Sequence, residues 1–196
     1  MSEHAADSTQ TTHAEHYNPM AGKLGMWMFL FTEVLLFGTV FIGYAVYQHQ
    51  YHRDFQSTSH ELNKLLGAIN TVVLLTSSMT MALAIAALER GRKRRTIGLM
   101  AVTVLLALTF MIVKAFEWGH KFEHDIYPTS AIMRARAVGE QVFYGLYFTM
   151  TGLHALHVVI GATVILVAMR LVAKERVRQD RIVFLENVGL YWHLVD

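Results

Sequence analysis

Glu33 stands near the middle of an apolar run, residues 24–47, that carries no other formal charge. A carboxyl at the centre of a membrane-crossing helix costs about 2.5–3.5 kcal/mol on insertion scales, so such a group is buried and partnered. Two readings follow: a group kept there for a purpose, or a structural hydrogen bond that locks two helices together. Neither reading has it facing lipid. In another apolar run, Tyr147, His154 and Gly161 recur at seven-residue steps, with Thr151 and His157 beside them. Two histidines three apart on one helix invite a metal or haem reading, and Glu33 could supply the carboxylate that a two-histidine metal site wants. Haem needs axial ligands from opposite sides, and His120 and His124 fall beyond the end of their own run. Neutral histidines hydrogen-bonded at a helix interface are the plainer reading. Glu117 and Lys114, three apart, can pair where lysine snorkels toward the outer end of a span.

Other chemistry is excluded directly. The chain has no cysteine, so disulfides, thiolate metal sites and cysteine nucleophiles are absent. No phosphate-binding glycine loop, nucleophile elbow, His-Glu-x-x-His motif or paired-carboxylate hydrolase site occurs. The 196 residues are 54% hydrophobic and 16% charged, a balance that fits a polytopic membrane protein rather than a soluble domain. The formal charge of +2 gives no reason to expect a nucleic-acid partner.

The elements that must position these groups are membrane spans. A hydrocarbon core of about 30 Å takes roughly 20 helical residues. Four runs are long enough: 24–47, 65–88, 96–117 and 139–169, the third with its purely apolar part ending at Val113 and the fourth with its apolar part beginning at Val142. The bilayer offers no partner for open backbone, and runs without two-residue alternation choose helices over barrel strands. A fifth segment, 182–196, is too short to cross alone. The expected fold is therefore all-α: a transmembrane bundle of four full spans plus the start of a fifth helix. Residues 1–22 read as a polar tail, expected to be poorly ordered, and no signal peptide. Pro19 and Pro128, the two prolines, fall outside the spans.

Arg90, Arg92, Lys93, Arg94 and Arg95 crowd the link between the second and third spans, while Arg170, Lys174, Arg176, Arg178 and Arg181 follow the fourth. The positive-inside rule places both links, and with them the N-terminus, in the cytoplasm. Glu33 shares a helical face with Phe29, Phe37, Val40 and Tyr44, and Asn70, Thr71, Ser77 and Ser78 form a mildly polar stripe near Gly67 and Ala84. That stripe is read as a helix–helix contact. Trp27, Trp118 and Trp192 near run ends are read as interfacial anchors.

At these residues the sequence resembles subunit III of the haem–copper cytochrome c oxidases. Five blocks carry the resemblance: residues 24–37 around Glu33, 70–78 beginning Asn70-Thr71-Val72, Phe116-Glu117-Trp118, 151–161 with His154 and His157, and Glu186 followed by 191–196. The chain has no counterpart of the long form's first two helices, and so resembles the short, five-helix bacterial form. In the family the last helix continues past the aspartate at 196, so either this sequence stops inside that helix or the helix is half built.

The resemblance implies a non-catalytic subunit without a redox centre of its own. Haem and copper are expected in the catalytic subunit I, with subunit II and other oxidase subunits as further partners. It implies a helix cleft holding phospholipid, support of proton uptake and of the catalytic subunit's working life, and a multi-pass place in a bacterial inner membrane. Glu33 carries over as the buried carboxyl facing the cleft, and Trp27 and His157 as contributors to the cleft or to interhelical bonds. His154, Glu117, Glu186 and His193 join them as lipid-binding or buried polar groups, with no catalytic, cofactor or metal residue expected. Two other functions compete: an accessory protein of a nitric oxide reductase, and a free-standing haem-binding electron carrier. A small transporter is disfavoured by the lack of an inverted repeat or broken helix.

Overall fold

Long apolar stretches in a medium without hydrogen-bonding partners must close their backbone bonds within themselves, and they do. The computed structural model describes residues 19–59, 64–128, 130–177 and 182–196. Within them lie seven helices and no strand: α1 (Pro19–Gln50), α2 (His52–Ser59), α3 (Lys64–Glu89), α4 (Lys93–Glu123), α5 (Ala131–Ala135), α6 (Val138–Ala173) and α7 (Ile182–Val195). Four of these, α1, α3, α4 and α6, are long and apolar enough to cross a membrane, and α7 is a shorter apolar helix. The all-helical architecture expected from sequence is therefore the one observed. Helix α1 starts at Pro19, inside the stretch assigned to the polar tail; residues 1–18 of that tail lie outside the described residues, as do Arg178 and Arg181.

The bundle is built around a hairpin of α3 and α4. Gly91 at φ 68° takes the left-handed conformation, its N–H bonding the Leu88 carbonyl at 2.9 Å while the Arg92 N–H bonds that of Ala87 at 2.9 Å. Glycine adopts that conformation at no steric cost, so the chain reverses in a few residues. Helix α6 packs on α4, and α7 fits between α3 and α6. Met81, Ala84, Met100, Ala107, Ile165, Ala168 and Leu185 fill the space where these four meet. Helix α1 lies outermost, touching α6 and α7, and among its described side chains Leu30 alone is buried.

Trp192 fixes α7. Its ring is 1% exposed, and its indole N–H donates to Ser77 Oγ of α3 at 2.9 Å. On the other side it lies against Gly161 of α6, where an added Cβ would meet the ring at 2.8 Å. The sequence expectation of an interfacial anchor fails for this residue: it is a core wedge, because the missing side chain of Gly161 leaves room for its ring beside α6. Trp118 is likewise turned inward, onto Phe148 at 5.5 Å. The polar stripe of α3 does face α7 through Ser77 and Ser78, and Thr80 reaches Thr103 of α4 at 2.8 Å. Gly67 and Thr71, read as part of the same contact, are exposed.

A second, smaller cluster closes the end of the bundle opposite the α3–α4 turn. Phe55 of α2 meets Tyr44 at 5.4 Å and Phe143 at 5.2 Å, with Met133 of α5 and Tyr144 buried alongside. Helix α2 lies so close to the start of α6 that any Cβ at Gly139 would strike the Asp54 carboxylate. Ser130 caps α5, accepting from the Met133 N–H at 3.0 Å.

Replacing Gly161 by leucine should therefore push the Trp192 ring off α6 and lower stability by about 1–3 kcal/mol, the usual cost of overpacking. Gly98→Ala, where the added carbon meets open space, should show no such loss. Thermal unfolding of the two variants in detergent measures the difference; equal midpoints would remove the wedge from this account.

Candidate functional site

Midway along α1 one polar pair joins it to α6. Glu33 Oε2 lies 2.8 Å from His157 Nε2 of α6, with the two side chains 14% and 9% exposed. The other ring nitrogen, Nδ1, lies 2.7 Å from the Leu153 carbonyl oxygen. A carbonyl only accepts, so Nδ1 carries a hydrogen and donates it. The contact between Nε2 and Oε2 therefore holds a single proton, either as imidazolium facing carboxylate or as imidazole accepting from a carboxylic acid. Both forms are neutral as a pair. That is the condition membrane depth imposes, because an uncompensated charge there is expensive.

Rings enclose the pair. Phe37 lies 5.1 Å from the His157 ring, Phe29 lies 5.9 Å from Tyr191, and the Tyr191 hydroxyl donates to the His157 carbonyl at 3.3 Å. The face of α1 read from sequence is thus spent on α6, α7 and α2. Beside the pair a lateral groove of about 480 Å³ runs between α1, α6 and α7, lined by Met26, Phe29, Ile160, Val164, Phe184 and Tyr191. Its lining is apolar apart from Glu33, His157 and Asn187.

His154 does not join this pair. Its ring stands edge-on to Phe110 of α4 at 5.3 Å, and it borders a different hollow with Phe37, Val40, Leu194 and Asp196. Among the described residues no three His, Cys, Asp or Glu side chains come together as a metal site would need. His120 and His124 lie against each other at the end of α4, with ring centroids 4.4 Å apart and planes tilted by 59°. His120 is ten residues along α4 from Phe110, about 15 Å of helix rise above the level of His154. Two imidazoles so placed do not face each other across a haem.

Glu117 forms a second buried polar centre, between α4 and α6. Its carboxylate accepts from the Tyr147 hydroxyl and from Lys114 Nζ at 2.8 Å. The Lys121 ammonium lies over the Tyr147 ring at 4.9 Å and the Tyr144 ring at 5.2 Å. Tyr147 belongs to the seven-residue series visible in the sequence, but that it ends on Glu117 depends on how α4 and α6 cross.

The remaining candidates tie α7 to its neighbours. Glu186 pairs with Lys23 of α1 at 2.8 Å, the Asn187 amide donates to the Gly22 carbonyl at 3.2 Å, and His193 Nδ1 meets Ser78 Oγ at 2.7 Å. Trp27 is different. It is 61% exposed, lines a shallow hollow with Lys23, Ile85 and His193, and makes no interhelical hydrogen bond among the described residues. The Lys23–Glu186 tie was missed in sequence because nothing local places the start of α1 beside α7.

The model of the cytochrome c oxidase subunit III family matches residues 4–196. The chain belongs to that family. It is 28% identical over 200 residues to the cytochrome bo(3) ubiquinol oxidase subunit 3 of Pseudomonas aeruginosa, an alignment spanning all of this chain and 90% of the relative. It is 30% identical over 196 residues to a probable quinol oxidase subunit 3 of Staphylococcus saprophyticus, again over the whole chain and 90% of the relative. A subunit III of a haem–copper oxidase works within a multi-subunit complex, and four membrane-spanning helices with bacterial relatives make this chain a multi-pass protein of the bacterial inner membrane.

Glu33→Gln keeps an N–H that can donate to a neutral His157 Nε2, whereas Glu33→Leu leaves that nitrogen buried without a partner. The leucine variant should lose about 1–3 kcal/mol relative to glutamine, the cost of an unsatisfied buried polar group. Denaturation in detergent, followed through helix content, tests the order. Equal stability of the two would mean that the pair does not hold α1 to α6.

Proposed function

We propose that this chain is the non-catalytic subunit III of a proton-translocating haem–copper terminal oxidase. In this reading it is seated against a catalytic subunit I that holds the haems and copper, with subunit II in the same complex. The observation that carries the reading is the family match along the chain, joined to the use its buried polar groups are put to. Glu33, His157, Glu117 and Tyr147 are spent on helix–helix bonds, and α1 presents an almost wholly exposed apolar surface such as a membrane partner or lipid would cover. The groove beside Glu33 and His157 takes phospholipid acyl chains, and its integrity supports the working life and proton uptake of the catalytic subunit. The clusters of basic residues orient the N-terminus and the α3–α4 turn toward the cytoplasm.

A second reading concerns the electron donor. The relatives named above are subunit 3 of a ubiquinol oxidase and of a probable quinol oxidase, which favours a quinol over cytochrome c. Oxidation of reduced cytochrome c or of a short-chain quinol by the purified complex separates the two.

The chain, tagged and purified in mild detergent from its own cells, should bring down a haem-bearing catalytic subunit. Expressed alone it should be colourless; a haem absorption band in the isolated chain would overturn the reading. Glu33→Gln should leave the complex assembled yet shorten its lifetime during turnover or lower its tightly held phospholipid. His154→Leu should loosen docking to the complex without altering its metal content. Unchanged lifetime and lipid in the first variant, or stoichiometric metal loss in the second, would count against these roles.

A further inference from the structure

The turn between α3 and α4 does more than reverse the chain. Five basic residues, Arg90, Arg92, Lys93, Arg94 and Arg95, crowd it, with Glu89 as the acid among them. Lys93 already has a carboxylate, Glu175 at 3.0 Å, which ties the turn to the end of α6. Among the described residues no ion pair engages Arg90, Arg92 or Arg95, and all three are exposed.

These three arginines rim a notch of about 150 Å³ whose floor is apolar: Leu83, Ala86 and Ala87 from α3 and Leu99 from α4. The two alanines leave the gap between the helices. Leu83 is seven residues before Arg90, about 10 Å deeper along the helix axis, and Leu99 is one turn inside Arg95. The notch thus runs from the membrane surface, where the guanidinium groups gather, into the hydrocarbon layer. Its polarity changes along its length as that of a phospholipid does.

We propose that this notch is a binding site for an anionic phospholipid, with the phosphate held by Arg90, Arg92 and Arg95 and the upper part of one acyl chain laid over Ala86, Leu83 and Leu99. Guanidinium groups match phosphate oxygens with paired, charge-assisted hydrogen bonds. Each basic side chain near an anionic surface contributes about 1 kcal/mol, so three confer a preference of about a hundredfold over a lipid of no net charge. The site is separate from the groove beside Glu33: it is formed by α3 and α4, with no residue from α1, α6 or α7.

The test uses the whole complex in nanodiscs of phosphatidylcholine with a minor fraction of phosphatidylglycerol, counting retained lipids by native mass spectrometry. The unaltered protein should keep one phosphatidylglycerol that 50 mM inorganic phosphate, on the order of physiological ionic strength, does not displace. Arg90→Gln/Arg95→Gln should weaken its retention by more than tenfold. Because loss of these charges also bears on topology, Ala86→Phe provides a second arm, filling the floor while leaving every charge in place; it too should release the lipid. Arg94→Gln, outside the notch, should not. The proposal is overturned if phosphatidylcholine is held equally well, if Arg94→Gln releases as much lipid as the paired arginine change, or if free phosphate competes the lipid away. It is also overturned if the paired change detaches a neighbouring subunit with the lipid count unaltered, since the arginines would then serve a protein partner.

Discussion

A polar side chain at membrane depth has no water to fall back on, and the arrangement of this bundle follows from that constraint. Beyond the ties at its start, Lys23 to Glu186 and the Gly22 carbonyl to Asn187, helix α1 has little to hold it: its outer surface is apolar and exposed, and Leu30 is its single buried side chain among those described. The bond between Glu33 and His157 supplies the directional contact that apolar packing against lipid-like neighbours cannot, because lipid tails solvate leucine as well as another helix does. The Leu153 carbonyl sets the tautomer of His157, and so determines that the bond to Glu33 must contain a proton. Carboxyl, imidazole and carbonyl act as one unit spanning two helices.

Helix α7 meets the same constraint differently. Polar side chains along its fourteen residues find partners inside the bundle. Trp192 does so on Ser77, His193 on Ser78, Glu186 on Lys23 and Tyr191 on the carbonyl of His157. Through that last bond α7 also supports the residue that holds α1. The Glu33–His157 contact and the seating of Trp192 over Gly161 are therefore parts of one three-helix junction, with Gly161 a single turn beyond His157.

Some of this was legible from the chain alone. Each long apolar run became a helix, since backbone in lipid has few alternatives. The intramembrane glutamate was marked by its own cost, and histidines three apart had to be resolved as ligands or as interface groups. The short helices α2 and α5 were not anticipated. Their stability comes from Phe55 and Met133 packing on Phe143 and Tyr144, contacts made between links that are far apart in sequence. Trp192 was misread for a related reason: nearness to the end of an apolar run says where a ring lies in depth, but not which way it points.

What the sequence determined by itself was the class of molecule: the number of spans, the lack of cysteine chemistry, and a carboxyl that could not stand alone. Those are consequences of length, polarity and the cost of charge in hydrocarbon, which act residue by residue. Only the tertiary structure decided that Glu33 takes His157 and leaves His154 to Phe110, that Glu117 is met by Tyr147, and that three arginines gather over an apolar notch. Partner choice depends on helix rotation and crossing. Two histidines three positions apart point only about 60° apart around the helix, and a local pattern carries no record of which neighbouring helix lies in either direction.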